Sequence, residues 1–160
     1  MKRAPSLIIV PCVLIVAFLL TLLPMPGWTV WLRPAWVLMV LIYWTMNLPY
    51  RMNVGFAWFI GILLDVLTGT LLGEHAIALS IVIYLVVRWD SRLRMFLMLQ
   101  QALCVMLLVF LYQFILFCVQ GFIGQLPKSP LYWACSFTSM IVWPWIWMML
   151  ENMRRRFRVV

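Results

Sequence analysis

Charged residues are scarce in this 160-residue chain, and their scarcity limits the chemistry it can perform. Only four residues are acidic and His75 is the single histidine, so no second histidine is available to complete a metal site. No Gly-x-Ser-x-Gly elbow, His-Glu-x-x-His motif or glycine-rich phosphate loop occurs. The spacing of the cysteines fits neither a metal site nor a disulfide framework. We expect them to pack as small hydrophobic side chains; they are Cys12, Cys104, Cys118 and Cys135. These absences argue against an enzyme and against a bound cofactor.

Hydrophobic residues make up 67% of the chain, in long runs separated by short charged clusters. A membrane-spanning helix needs roughly 20 residues, so we predict one all-α integral membrane domain (1–160) with six transmembrane helices. The approximate spans are 6–23, 31–48, 54–72, 74–89, 95–122 and 131–150. Ten of the twelve basic residues lie in alternate clusters, which predicts that both termini are cytoplasmic. The net charge of +8 then reflects topology and attraction to anionic lipid, not nucleic-acid binding.

Proline and flanking charges suggest where individual helices begin and end. Helix 2 is predicted to start near Trp31 with Pro34 in its first turn, where a missing N–H costs nothing. Helix 4 is predicted to be short, over residues 73–89, and helix 5 long enough to require tilt. The first apolar run resembles a secretory signal but lacks a small-x-small cleavage site, so we interpret it as a retained anchor.

The most specific local pattern is Gly61-x3-Asp65-x3-Gly69-x3-Gly73 in helix 3. Residues four apart share one helical face, so the three glycines would let a neighbouring backbone approach closely. A charged aspartate at a helix centre costs roughly 2.5–3.5 kcal/mol on insertion scales. Arg33, backbone N–H groups or protonation of the carboxyl could offset that cost. We favour a polar clasp that fixes helix packing; the alternative is a ligand, proton or partner site.

Two further polar groups lie at the predicted outer side. Glu74 and His75 directly follow the glycine pattern, and we expect a solvated turn with a helix cap there instead of an acid–base pair. Arg33-Pro34-Ala35-Trp36 is typical of an interface anchor, in which Arg reaches outward and Trp lies at headgroup level. Because an outward arginine departs from the charge rule, Arg33 could instead pair with Asp65 or Glu74, or contact a periplasmic partner.

Four short motifs in order resemble the MreD family of rod shape-determining proteins, most closely its enterobacterial form. They are Arg33-Pro34-x-Trp36 with Tyr43-Trp44, Pro49-x-Arg51-x-Asn53-Val54-Gly55, the glycine–aspartate pattern of helix 3, and Trp143-Pro144-Trp145. The resemblance implies a multi-pass protein of the bacterial inner membrane without catalytic activity or cofactor, which maintains cell shape during peptidoglycan synthesis. It also implies a helical bundle similar to the substrate-binding S-component of vitamin transporters. The implied partners are MreC, RodA, the class B penicillin-binding protein of elongation and MreB.

The alternative function is that of the S-component itself, a solute-binding membrane subunit of a vitamin transporter. Arg33, Asp65 and Glu74 would then line an outward pocket. Such subunits typically carry an Ala-x3-Ala stripe in helix 1, where this chain has only Ala17 after the terminal Ala4, which weakens that alternative. For the family role, we expect MreC to bind a helix face, with the group from Arg33 to Trp36 as the second choice.

Overall fold

The computed structural model describes residues 4–24, 26–27, 32–48, 52–124 and 127–156. Over these residues the protein is all-helical, which confirms the all-α part of the predicted fold. The six α-helices, in chain order, are α1 (Ala4–Leu22), α2 (Trp36–Asn47), α3 (Val54–Thr68), α4 (Glu74–Met95), α5 (Met98–Ile123) and α6 (Ala134–Arg156). A short 3-10 helix, Pro130–Trp133, leads into α6. Arg51, in the second of the four motifs, and Trp31, where helix 2 was predicted to start, lie outside the described residues.

Helix α2 starts later than the sequence suggested. It begins at Trp36, and residues 33–35 are not helical. A helix from Trp31 would place Arg33 in the α conformation directly before Pro34, where the proline ring disfavours that conformation. The prediction of a start near Trp31 is therefore wrong, and Pro34 lies in the segment that leads into the helix.

Helix α4 is longer than predicted, with 22 residues that continue to Met95. The prediction stopped at residue 89 because charged residues were taken as the end of the helix. A helix has no reason to stop there, since Asp90 and Arg94 form an ion pair one turn apart, at 2.8 Å, along its exposed side. In the same way α6 continues past residue 150 to Arg156, where Arg154 and Arg155 pair with Glu151.

Helix α2 forms the centre of the bundle. All of its residues from 37 to 46 are buried, as expected for a helix that is apolar on every side. The helices around it bury one side and expose the other, which carries large apolar side chains such as Val16, Phe59, Leu107 and Trp145. The four cysteines are free, and Cys12 and Cys118 are exposed on this outer surface instead of buried.

Two helical segments are long and apolar enough to cross a membrane, namely Met98–Ile123 and Pro130–Arg156. Three shorter apolar helices accompany them: Ile9–Leu22, Trp36–Asn47 and Val54–Thr68. The exposed apolar side chains on the outer surface match a hydrocarbon environment, where such residues need no cover from water.

Candidate functional site: the polar cluster around Asp65

The glycine pattern does not form a single helical stripe. Helix α3 ends at Thr68, and Gly69 follows it in the left-handed conformation with φ 68°. Gly73 is also left-handed, with φ 104°, and directly precedes α4. The prediction of three glycines on one face is therefore wrong, because only Gly61 and Asp65 lie within α3. Gly69 and Gly73 instead supply backbone conformations that other residues rarely adopt.

Gly61 is the place where two backbones approach closely. A Cβ atom built on it would lie 2.3 Å from Cα of Ala76 and 2.7 Å from its backbone nitrogen. Helices α3 and α4 can pack at this distance only because Gly61 has no side chain. This contact brings the first turn of α4 alongside the last turns of α3, where Asp65 is located.

The Asp65 side chain is fully buried and faces the start of α4. Its Oδ2 accepts a hydrogen bond from the backbone N–H of Gly73 at 2.8 Å, and its Oδ1 accepts one from the N–H of His75 at 2.9 Å. Oδ1 also contacts Nδ1 of His75 at 2.8 Å and accepts from the Thr70 hydroxyl at 3.2 Å. The first N–H groups of a helix lack acceptors within the helix, and the positive end of its dipole favours an anion. Of the three ways to offset the charge that the sequence left open, the structure shows backbone N–H groups and not Arg33.

Glu74 and His75 lie inside the protein and not in a solvated turn, so that prediction is wrong. Glu74 is only 4% exposed, and its Oε1 accepts a hydrogen bond from Nε2 of Gln120 at 2.6 Å. This bond joins the start of α4 to the end of α5. His75 is 14% exposed and lies near the ring of Tyr112, with a centroid distance of 6.1 Å. His75 is therefore held by Asp65 of α3, and Glu74 by Gln120 of α5.

The polar cluster around Asp65 does not have the geometry of a catalytic triad. A nucleophile–histidine–carboxylate triad needs the imidazole between its two partners, with one nitrogen to each. Here the Thr70 hydroxyl, at 3.3 Å, and the Asp65 carboxylate both approach the same nitrogen, Nδ1 of His75. Within the part of the chain that the structure describes, no group of three His, Cys, Asp or Glu residues could hold a metal ion. What the arrangement does is join the end of α3 to the beginning of α4.

Arg33 lies away from the acidic residues. Its guanidinium donates hydrogen bonds to the backbone carbonyls of Thr21 and Leu23 at the end of α1. The last carbonyls of a helix lack internal donors and carry the negative end of its dipole, so a cation is favourable there. Among the described residues Arg33 makes no ion pair with Asp65 or Glu74, so the structure does not support that alternative. An arginine that caps a helix ten residues earlier in the chain leaves no pattern in the sequence.

A cavity of about 250 Å³ opens beside Arg33, where the ends of α1 and α5 meet the beginnings of α2, α4 and α6. Trp36, His75, Tyr112 and Gln113 contribute to its lining together with Arg33, whereas Asp65 and Glu74 do not. Sequence reasoning missed Gln113, whose Nε2 donates to the carbonyl of Tyr132 at 2.6 Å and whose Oε1 accepts from Ser136 at 2.5 Å. The available signal was the spacing of Gln113 and Gln120, which lie two turns apart on one face in the second half of α5, beyond Gln100 and Gln101 at its start.

Comparison with known proteins identifies the family. The family model for the rod shape-determining protein MreD matches residues 1–153. A rod shape-determining protein MreD of Haemophilus influenzae is 30% identical over 148 residues, which cover 91% of this chain and 90% of that protein. No solved structure matches the fold, so the resemblance to an S-component stays a prediction. The chain therefore belongs to the MreD family of rod shape-determining proteins.

Proposed function

We propose that this chain is a non-enzymatic subunit of the inner-membrane complex that builds the cell wall during elongation, and that it is needed to maintain rod shape. The observation that carries the proposal is the match of the rod shape-determining family over residues 1–153. The polar residues of the bundle support it, since Asp65, Glu74 and Gln120 bind one another or backbone groups and present no reactive group. We infer that this polar cluster is the predicted clasp.

In the proposed topology all six helices cross the membrane and both termini are cytoplasmic. Helix α2 has only 12 residues, or about 18 Å at 1.5 Å per residue, which is shorter than the hydrocarbon core of about 30 Å. The half-buried residues 33–35 precede it without helical structure, and non-helical backbone is tolerated at membrane depth where protein covers it. The basic residues support the assignment of the inner side, since Arg88, Arg92 and Arg94 lie at the far end of α4 from Asp65.

The topology is tested with an impermeant maleimide on intact cells and on inverted membrane vesicles. Cysteine replacing Lys128, in the segment before α6, should be labelled from outside, and cysteine replacing Arg156 only in inverted vesicles. The four natural cysteines are first replaced by alanine or serine, so that only the introduced thiol reacts. Labelling of both positions from the same side would contradict the single crossing of the membrane by α6 between Lys128 and Arg156.

The proposed partners are MreC, RodA, the class B penicillin-binding protein of elongation and MreB. An apolar groove of about 260 Å³ between α1 and α6 supports a helix face as the MreC contact. Val16, Leu20, Ile146 and Met149 are among its lining residues, and its walls are almost entirely apolar. The group from Arg33 to Trp36 is the second choice, and its half-buried side chains leave it less surface to offer.

Complementation tests the function in cells. The resident MreD of a rod-shaped host is depleted, this chain is expressed from a plasmid, and the cells are imaged while its abundance in the membrane is measured. Restored rods would support the proposal. Rounded cells with abundant protein call for co-expression of the chain's own MreC, and failure under that condition would contradict the proposed role.

The alternative, a solute-binding transporter subunit, loses part of its support. Of the three residues expected in the outward pocket, only Arg33 lines the cavity, while Asp65 and Glu74 face α4 and α5. A transporter subunit should raise its melting temperature by mass action when its vitamin is added. A flat response across a panel of vitamins would remove this alternative.

A further inference from the structure

Two of the residues that line the cavity beside Arg33, namely Arg33 itself and Trp36, carry buried hydrogen-bond donors without partners. Nε of Arg33 and Nε1 of Trp36 are both shielded from solvent, and neither has an acceptor within the described part of the chain. Both residues line the same cavity of about 250 Å³. Buried donors are almost always paired in folded proteins, so an unpaired donor beside a cavity indicates an acceptor that occupies it.

The positive charge of Arg33 indicates that the acceptor is negatively charged. Its two terminal nitrogens donate to the neutral carbonyls of Thr21 and Leu23, and no carboxylate in the described ranges lies within ion-pair distance of it. Asp65 contacts His75, which lines the cavity, but Asp65 itself does not line it. Its oxygens accept hydrogen bonds from the start of α4. The guanidinium therefore favours an anion in the cavity, with Nε still available to donate.

The cavity distinguishes Trp36 from two other tryptophans whose indole N–H groups are unpaired. Nε1 of Trp44 and Nε1 of Trp143 also lack acceptors among the described residues. Both side chains are fully buried in the apolar core, and neither lines this cavity. Trp36 differs from them because it combines an unpaired donor with adjacent space and an adjacent cation.

The remaining walls restrict the ligand further. Most of the lining is apolar, with Val37, Leu38, Leu64 and Leu116 among its residues, and the amide of Gln113 is already bonded to Tyr132 and Ser136. The volume of about 250 Å³ corresponds to about eight water molecules at roughly 30 Å³ each. We propose that this cavity binds a small organic anion, a carboxylate or phosphate on an apolar body, whose oxygens accept hydrogen bonds from Arg33 and Trp36.

The site is tested on the full-length protein in detergent micelles with benzoate as the probe. Labelling with ¹⁵N makes the indole N–H of each tryptophan and the Nε–H of each arginine visible by NMR, and Trp36→Phe and Arg33→Lys assign the two signals. Benzoate should shift both signals saturably and leave those of Trp44 and Trp143 in place. In the Trp36→Phe variant, read from the Arg33 signal, benzoate should bind about tenfold more weakly, as expected for one lost hydrogen bond to a charged group.

Matched compounds give the results that would overturn the proposal. Benzyl alcohol has the same ring without the charge, and an equal shift with it would show that the site does not select an anion. Inorganic phosphate has charge without an apolar body, and binding as tight as that of benzoate would contradict the role of the apolar walls. Absence of any saturable shift with benzoate would also reject the site.

A further arm distinguishes two sources of the anion. If the anion is a lipid headgroup, phosphatidylglycerol added to the micelles should shift the same signals. Excess benzoate should then displace the lipid and reverse that shift. A shift with benzoate alone would assign the cavity to a free solute. Either result supports the site, which is independent of the proposed role in cell shape and of the complementation outcome.

Discussion

Replacement of Asp65 by alanine should destabilise the bundle more than any other loss of a single charge on α3 or α4. The carboxylate accepts hydrogen bonds from the backbone N–H groups of Gly73 and His75. In the alanine variant both of these part-buried N–H groups lose their acceptor. A buried donor left unpaired costs about 1–3 kcal/mol. Removal of the buried charge offsets part of that cost, so we expect a net loss of about 3 kcal/mol in the free energy of unfolding.

The assay is reversible unfolding of the purified protein in mixed micelles, together with the amount of folded protein in the membrane. Asp90→Ala is the matched control, because Asp90 pairs with Arg94 across an exposed face of α4 where such a pair is worth about 0.3–0.5 kcal/mol. Asp65→Asn should lose less than Asp65→Ala, since one oxygen can still accept from His75. A loss for Asp65→Ala no greater than that of Asp90→Ala would refute the clasp. Normal stability and abundance with abolished function would point instead to a ligand or partner site.

Two other substitutions test the packing of the bundle by the same unfolding measurement. Gly61→Ala places a methyl group 2.3 Å from Cα of Ala76, and the forced separation of α3 and α4 should lower the free energy of unfolding by about 3 kcal/mol. Gly55→Ala is the control, because the nearest atom to its new methyl group is 3.8 Å away, and it should be neutral or slightly stabilising. Equal effects of the two would contradict the close approach. Tyr43→Phe removes the hydroxyl that donates to Glu151 at 2.9 Å between α2 and α6, and should cost about 1 kcal/mol; an unchanged stability would show that this bond contributes nothing.

The helical class and the order of the helices were readable from the sequence, because long apolar runs between charges have few other interpretations. The local conformation around the glycines was not. Glycines four apart fit a close-packed helical face, but a glycine also ends a helix by adopting positive φ, as Gly69 does. Spacing alone does not distinguish a glycine on a packed helical face from one that ends a helix. The difference depends on whether the residues after Thr68 continue the helix.

The partners of the polar residues were even less accessible to sequence reasoning. Asp65 was recognised as a residue that needs compensation, but the groups that compensate it are backbone N–H groups whose position depends on the chain path after Gly69. For Arg33 the sequence left open an interface anchor, an ion pair or a partner contact, whereas its guanidinium bonds carbonyls at the end of α1. Backbone acceptors and donors are present at every residue, so the sequence does not indicate which of them a side chain will reach.

The Asp65 contacts have a consequence for how the protein assembles and moves. All of them join residues within a stretch of eleven, from 65 to 75, so closing this connection costs little chain entropy. Helices α3 and α4 can therefore form a hairpin before the other helices pack against it. In the finished protein the same bonds hold the two helices in register, so a rearrangement that transmits a signal to a partner should carry α3 and α4 together and occur at their boundaries with α2 and α5.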